Sequence, residues 1–177
     1  MWIARQALWV LPATIAAIGG YTDYRWRRIP NWLTVPGLAL GIAVNAIAGR
    51  WAGAKASLLG AGLGLLLLLP FVLVRSLGAG DWKLVGALGA FLGPRHLILV
   101  LFATVLIAGV MAFVLVVWNK RVAQTLRNMG RLLTAFLSLH LPGQDLSLDN
   151  PETLKVPFGI AMAIATILYA ISHVWQW

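Results

Sequence analysis

The chain has 177 residues, of which 60% are hydrophobic and only 11% are charged, and its formal net charge is +9. Its mean hydropathy of +0.85 excludes an ordinary soluble domain, which could not bury so much apolar surface. The chain has no cysteine, which excludes disulfides, thiolate nucleophiles and Cys-ligated metal centres. The composition predicts an α-helical protein that crosses a membrane several times, because a helix satisfies its own backbone polar groups in lipid.

Six apolar segments are candidates for membrane spans, since a helix needs about 20 apolar residues to cross the hydrocarbon core. They cover residues 6–22, 32–48, 57–74, 82–93, 96–118 and 156–176. The fourth segment is short for a span, so the distribution of basic residues has to decide whether it crosses.

The positions of Lys and Arg favour six crossings with the N-terminus outside. The ten basic residues that then face the cytoplasm are Arg25, Arg27, Arg28, Arg75, Lys83, Lys120, Arg121, Arg127, Arg131 and Lys155, and the four outside are Arg5, Arg50, Lys55 and Arg95. This agrees with the positive-inside rule, whereas a fourth segment that failed to cross would reverse the bias. We therefore predict an all-α bundle of six transmembrane helices in one domain, residues 1–177. No nucleic-acid-binding module is visible, so the partner of the basic residues is expected to be membrane lipid rather than nucleic acid.

The only sizeable loop of this topology covers residues 119–155. Its first part, "NKRVAQTLRNMGRLLTAFLSL", has apolar residues on one helical face and basic residues on the other, which predicts an amphipathic helix on the inner membrane surface. The following "PGQDLSLDNPET" holds Asp145, Asp149 and Glu152 among turn-forming residues. These acids are either a solvated turn, the simpler interpretation, or a patch that attracts a basic peptide.

Asp23 and Asp81 are the remaining two of the five acidic residues, and each stands at the edge of an apolar segment. Taken singly, Asp81 is explained as the N-cap of the fourth segment and Asp23 as part of an exposed ion pair with Arg25 or Arg27. Taken together, they lie near the same membrane face, where a small bundle brings them close. Ionisable residues in such a position indicate a functional site.

Two close carboxylates provide acid–base chemistry, because they resist double ionisation and one of them keeps a proton. The base takes a proton from water, and the acid protonates a scissile carbonyl oxygen and later helps the amine to leave. Gly78 and Gly80 flank Asp81, where they would allow a substrate backbone to approach closely. His96, His140 and His173 lack the spacing of zinc ligands, and no serine stands in a nucleophile-elbow motif. We therefore expect neither a metal nor a cofactor.

Three stretches together resemble the prepilin peptidase family of intramembrane aspartic proteases. "DYRWRRIPN" begins with Asp23 and ends with Ile29, Pro30 and Asn31. "GAGDWK" runs from Gly78 to Lys83 and contains the Gly-x-Gly-Asp-x-Lys signature. "KVPFG" ends with the Pro-Phe-Gly opening of the last span, which contains Pro157 and Gly159.

The resemblance implies cleavage of the basic leader from type IV pilin-like precursors at the cytoplasmic face, with Asp23 and Asp81 in the positions of the catalytic pair. Gly78, Gly80, Lys83, Ile29, Pro30, Asn31, Pro157 and Gly159 are then supporting motif residues. Some family members carry a cysteine-rich cytoplasmic domain and methylate the new terminus. Because this chain has no cysteine, the resemblance points to the short branch associated with Flp-type, tight-adherence pili.

A second class of function is a non-enzymatic membrane protein, either a small proton-coupled transporter or a pilus-assembly scaffold, with the aspartates as proton or cation sites. Transporters place such carboxylates near the bilayer midplane and between repeated halves. Here the carboxylates stand at the cytoplasmic edge and no repeat is visible in the sequence, which favours the protease.

Overall fold

The computed structural model describes residues 2–74, 76–119 and 157–174, and within these ranges all regular secondary structure is α-helical. The helices are α1 (Trp2–Trp26), α2 (Asn31–Leu73), α3 (Ala79–Trp118) and α4 (Phe158–Val174). The prediction of an all-α chain is thus confirmed for the described residues.

Each of the two long helices contains one residue at which the backbone leaves the helical conformation. In α2 this is Arg50, with φ 51° and ψ −136°; in α3 it is Gly93, with φ 70° and ψ 174°. At both points the chain folds back on itself. Gly53 packs directly on the carbonyl of Asn45, and a Cβ added at Gly89 would lie 3.0 Å from the Leu97 side chain. The residues of each pair are eight positions apart, a separation that spans about 12 Å in a continuous helix. Their contact therefore requires a reversal of the chain.

The six predicted apolar segments therefore correspond to α1, the two halves of α2, the two halves of α3, and α4. The second half of α2 is longer than the predicted segment, since it starts just after Arg50 rather than at residue 57. Among the described helices, α2 and α3 are long and apolar enough to cross a membrane. With 43 and 40 residues, each is about twice the length of one crossing.

The core of the bundle surrounds the first half of α3, where every residue from 84 to 93 is buried. The two halves of α2 pack along it, while α1 and α4 pack against each other and against α3. Glycines allow α2 and α3 to approach each other closely. The backbones of Gly60 in α2 and Gly89 in α3 are in direct contact, so neither position has space for a Cβ. Leu84 and Leu88, in the same half of α3, are completely buried.

The break in α3 is stabilised by two polar side chains of α2. Pro94 has no N–H, so the carbonyl of Ala90 loses its normal partner four residues further along the helix. Asn45 Nδ2 donates to this carbonyl at 2.9 Å and to that of Phe91 at 3.0 Å. Ser57, which is fully buried, also donates to the Ala90 carbonyl. These polar residues within apolar segments satisfy carbonyls that lipid would leave unpaired.

An aromatic cluster occupies the end of α1 that is remote from Asp23. His96 Nδ1 lies 2.6 Å from the Tyr169 hydroxyl, and Trp9 contacts the rings of His96, Tyr169 and His173. His96 and His173 are far apart in the sequence, whereas in the structure the centroids of their rings lie 5.7 Å apart. Fourteen residues of α1, or about 21 Å, separate Trp9 from Asp23.

The predicted amphipathic helix and acidic loop fall almost entirely outside the described residues. This applies to Asp145, Asp149 and Glu152, and to His140. Their placement, and the assignment of the whole chain to one domain, remain predictions.

Candidate active site

Asp23 and Asp81 line the same pocket, which has a volume of about 270 Å³. Asp23 lies in the last turn of α1, and Asp81 lies in the first turn of α3. The rest of the lining comes from the segment after α1 and the start of α3: Arg27, Arg28, Ile29, Gly78, Ala79 and Gly80. The two carboxylates that the sequence singled out therefore come together, although 58 residues of chain separate them.

Asp23 is buried, with 8% of its surface exposed. The main-chain N–H of Gly159 donates to its Oδ2 at 3.0 Å. Gly159 is the second residue of α4, so this N–H belongs to the positive end of a helix, which attracts a negative charge. The Arg27 guanidinium also interacts electrostatically with the carboxylate. The interpretation of Asp23 as an exposed, solvated ion pair is therefore wrong.

Asp81 is the third residue of α3 and not its N-cap, because the N-cap position belongs to Gly78. Its side chain bends back over that residue, where an added Cβ would lie 2.9 Å from Oδ2. The other oxygen, Oδ1, is buried and has no hydrogen-bond partner among the described residues. Asp81 also interacts electrostatically with Asp23 across the pocket. The N-cap interpretation of Asp81 is therefore wrong, and its carboxyl group faces the pocket instead.

The short link between α1 and α2 forms one wall of the pocket. Arg27 adopts the left-handed conformation with φ 52°, and its N–H bonds to the Asp23 carbonyl at 2.8 Å, which ends α1. Ile29 is buried against Gly80, where an added Cβ would lie 3.1 Å from the Ile29 Cβ and 3.2 Å from its N and O atoms. The absence of a side chain at Gly80 therefore allows the link to rest on the start of α3.

The other predicted motif residues stand close to this wall or begin the helices that form the site. Lys83 Nζ donates to Asn31 Oδ1 at 2.9 Å, which joins the start of α3 to the start of α2. Pro30 directly precedes α2, and the carbonyl of Pro157 accepts the Ile160 N–H at the start of α4. All ten predicted site residues thus lie at one end of the bundle.

Sequence reasoning missed two features of the pocket. Arg27 and Arg28 line it, whereas the sequence pointed to them as topology signals and to Arg27 also as a partner in an exposed ion pair. Their closeness to Asp23 in the chain was the available clue. The Gly159 amide was also missed, because main-chain donors leave no mark in a sequence. The pocket lining holds two carboxylates and no histidine, and no group of three potential metal ligands occurs in residues 2–74, 76–119 and 157–174.

Comparison with known families adds an independent finding. The sequence pattern of the type IV leader peptidase family matches residues 9–113. The match covers more than half of the chain and includes both Asp23 and Asp81, while α4 with Gly159 lies beyond it. Searches among curated proteins and among solved structures gave no match. The chain belongs to the type IV leader peptidase family, whose members are proteases that act on pilin precursors.

Proposed function

We propose that this protein is an intramembrane aspartic endopeptidase that removes the basic leader from type IV pilin-like precursors at the cytoplasmic face of the membrane. The observation that carries the proposal is the pocket that Asp23 and Asp81 share. Two carboxyl groups in one pocket can supply both the base and the acid for hydrolysis of a peptide. Family membership supplies the substrate class.

The chemistry needs one carboxylate and one carboxylic acid at the same pH. The carboxylate takes a proton from water while the water oxygen attacks the scissile carbonyl carbon. The carboxylic acid gives its proton to the carbonyl oxygen, and the resulting diol then collapses with departure of the amine. Mutual repulsion of two nearby carboxylates keeps one of them protonated.

The proposed topology has six transmembrane helices with the N-terminus outside. The chain reversals at Arg50 and Gly93 support it, since they divide α2 and α3 into lengths suited to one crossing. Basic residues favour the same orientation. Arg27 and Arg28 lie at the pocket, and the pocket end is therefore the cytoplasmic end by the positive-inside rule.

The substrates are proposed to be precursors of the Flp, tight-adherence type. The described link between α1 and α2 consists of residues 27–30 only, so no further domain is inserted at this point. That short link and the absence of cysteine both distinguish the chain from relatives with a cysteine-rich cytoplasmic domain. N-methylation of the product is therefore not part of the proposal.

The proposal predicts that Asp23→Asn and Asp81→Asn each abolish leader cleavage. Asn has nearly the same size as Asp but cannot transfer a proton, and acid–base groups contribute about 100-fold or more to rate. Purified variants would be incubated in detergent with a pilin-like precursor, and the product would be measured by mass spectrometry. Gel filtration would show that both variants elute like the natural protein.

Cleavage at the natural rate by either variant would contradict the aspartate pair. If the natural protein fails to cleave any such precursor but moves protons across reconstituted vesicles in an Asp-dependent manner, the transporter alternative replaces the protease.

A further inference from the structure

We propose that Asp23 is the general base and Asp81 the general acid, and that the main-chain amide of Gly159 is the positioning group that fixes this assignment. The inference rests on the proposed function, because it assigns roles within the same pair of aspartates. Neither the family match, which ends at residue 113, nor the motifs distinguish the two roles.

The first step concerns the contact between Gly159 and Asp23. The Gly159 N–H donates to Asp23 Oδ2 at 3.0 Å and is buried. A main-chain amide can only donate, so it stabilises the carboxylate form of its partner more than the protonated form. The N-terminal end of α4 adds a partial positive charge in the same place.

The charged groups that face Asp23 act in two directions. Arg27, after α1, acts on it with a positive charge, and Arg28 lines the same pocket. From α3, Asp81 is the opposing acidic group. The described parts of α2 and α4 contribute no titratable side chain to the pocket lining. Arg27 and the Gly159 amide therefore act on Asp23, whereas the buried Oδ1 of Asp81 has no hydrogen-bond donor among the described residues.

The second step concerns Asp81. Its Oδ1 is buried and receives no hydrogen bond from any described residue. A buried carboxylate oxygen without a donor is unfavourable when charged, whereas a protonated carboxyl group tolerates this environment better. Since Asp23 holds the negative charge, the single proton of the pair resides on Asp81.

The assignment determines where each proton goes. Water attacks the carbonyl carbon, Asp23 accepts the water proton, and the Asp81 proton moves to the carbonyl oxygen to form a diol. In the second stage, Asp23 returns its proton to the leaving nitrogen and Asp81 takes a proton from one diol hydroxyl as the C–N bond breaks. The products are a carboxylic acid and an amine, and both aspartates regain their starting forms.

Gly159 is suited to this role because it has no side chain. An added Cβ would lie 2.9 Å from both Cβ and Oδ2 of Asp23, which is too close for the hydrogen bond to persist unchanged. An alanine at this position would push the carboxylate away from the amide. By contrast, an added Cβ at Gly62 in α2 meets no atom within 4 Å, so this residue provides a matched control.

The test is the pH profile of kcat/KM for leader cleavage by the full-length natural protein and by Gly159→Ala, Arg27→Gln and Gly62→Ala. The acid limb reports protonation of the base, and the alkaline limb reports ionisation of the acid. Gly159→Ala and Arg27→Gln each weaken stabilisation of the Asp23 carboxylate, so we expect both to move the acid limb to higher pH. The alkaline limb should not move to higher pH in either variant. Gly159→Ala should also lower kcat by about tenfold or more, while Gly62→Ala keeps the natural profile.

Movement of the alkaline limb to higher pH in these variants, or an unmoved acid limb in both, would overturn the assignment. If Gly159→Ala does not fold, the Arg27→Gln profile decides by the same criterion. The Asp→Asn variants separate this inference from the proposed function. If the Asp→Asn variants are inactive and the limbs of the pH profile do not move as expected, only the assignment of base and acid is wrong. If the Asp→Asn variants are active, the proposed catalytic pair itself is wrong.

Discussion

At the scale of single residues, the pocket depends on positions where a side chain is absent. Gly80 contacts Ile29, with an added Cβ only 3.1–3.2 Å from three of its atoms, two of which are main-chain atoms. Main-chain atoms cannot rotate away as the end of a side chain can. A methyl group at this position would therefore displace the link that forms the wall beside Asp81.

We expect Gly80→Ala to lower leader cleavage by about tenfold or more, because overpacking of this kind costs about 1–3 kcal/mol and shifts the wall of the pocket. Gly37→Ala is the matched control, since an added Cβ there would lie 3.4–3.6 Å from the nearest side-chain atoms of Ile15 and Ala87. Rates would be compared at equal amounts of folded protein. Equal loss in both variants would show that Gly80 has no special role at the pocket.

At the scale of helices, the reversal at Gly93 is held by side chains from another helix. The positive φ of Gly93 and the missing N–H of Pro94 make the turn possible. Asn45 and Ser57 then satisfy the Ala90 carbonyl that the turn leaves without its helical partner. The short first half of α3, which carries Asp81, is therefore anchored at its far end by α2.

The double variant Asn45→Ala/Ser57→Ala is expected to lower the free energy of unfolding by about 1–3 kcal/mol, because a buried carbonyl loses its donors. Thermal unfolding in detergent measures the change. Thr14→Ala is the control: its hydroxyl is exposed and bonds to Val10 of its own helix, so its loss should have little effect. A double variant as stable as Thr14→Ala would show that these hydrogen bonds do not hold the turn.

At the scale of the whole molecule, the reversals place the ends of the helical segments at two faces of the bundle. Arg28 lies at the pocket, and Arg50 lies at the far end of the first half of α2. In the proposed topology these faces are separated by the membrane.

The cysteine-free chain makes this topology directly testable with single cysteines. We expect Arg50→Cys to react with a membrane-impermeant maleimide in intact cells and Arg28→Cys to react only after permeabilisation. The unmodified protein, which has no thiol, is the control for background labelling. Reaction of both variants from the same side would contradict the proposed orientation.

The sequence by itself determined the helical class, the apolar segments and the two carboxylates. These depend on local composition: long apolar runs form helices in any low-polarity environment, and rare acids at their edges stand out. The sequence also singled out Gly78 and Gly80, which are the N-cap and the second residue of α3. It did not show that α2 continues through Lys55, because a short polar stretch can either end a helix or lie within one.

Only the tertiary structure decided what surrounds each aspartate. Gly159 and Asp23 are 136 residues apart in the chain. His96 and Tyr169, which are also in contact, are 73 residues apart. Both contacts arise from the packing of α4 against α1 and α3, and the pairing of helix faces is not contained in any local pattern. The sequence therefore singled out the two carboxylates, while the packing of helices distant in the chain created the different environments of Asp23 and Asp81.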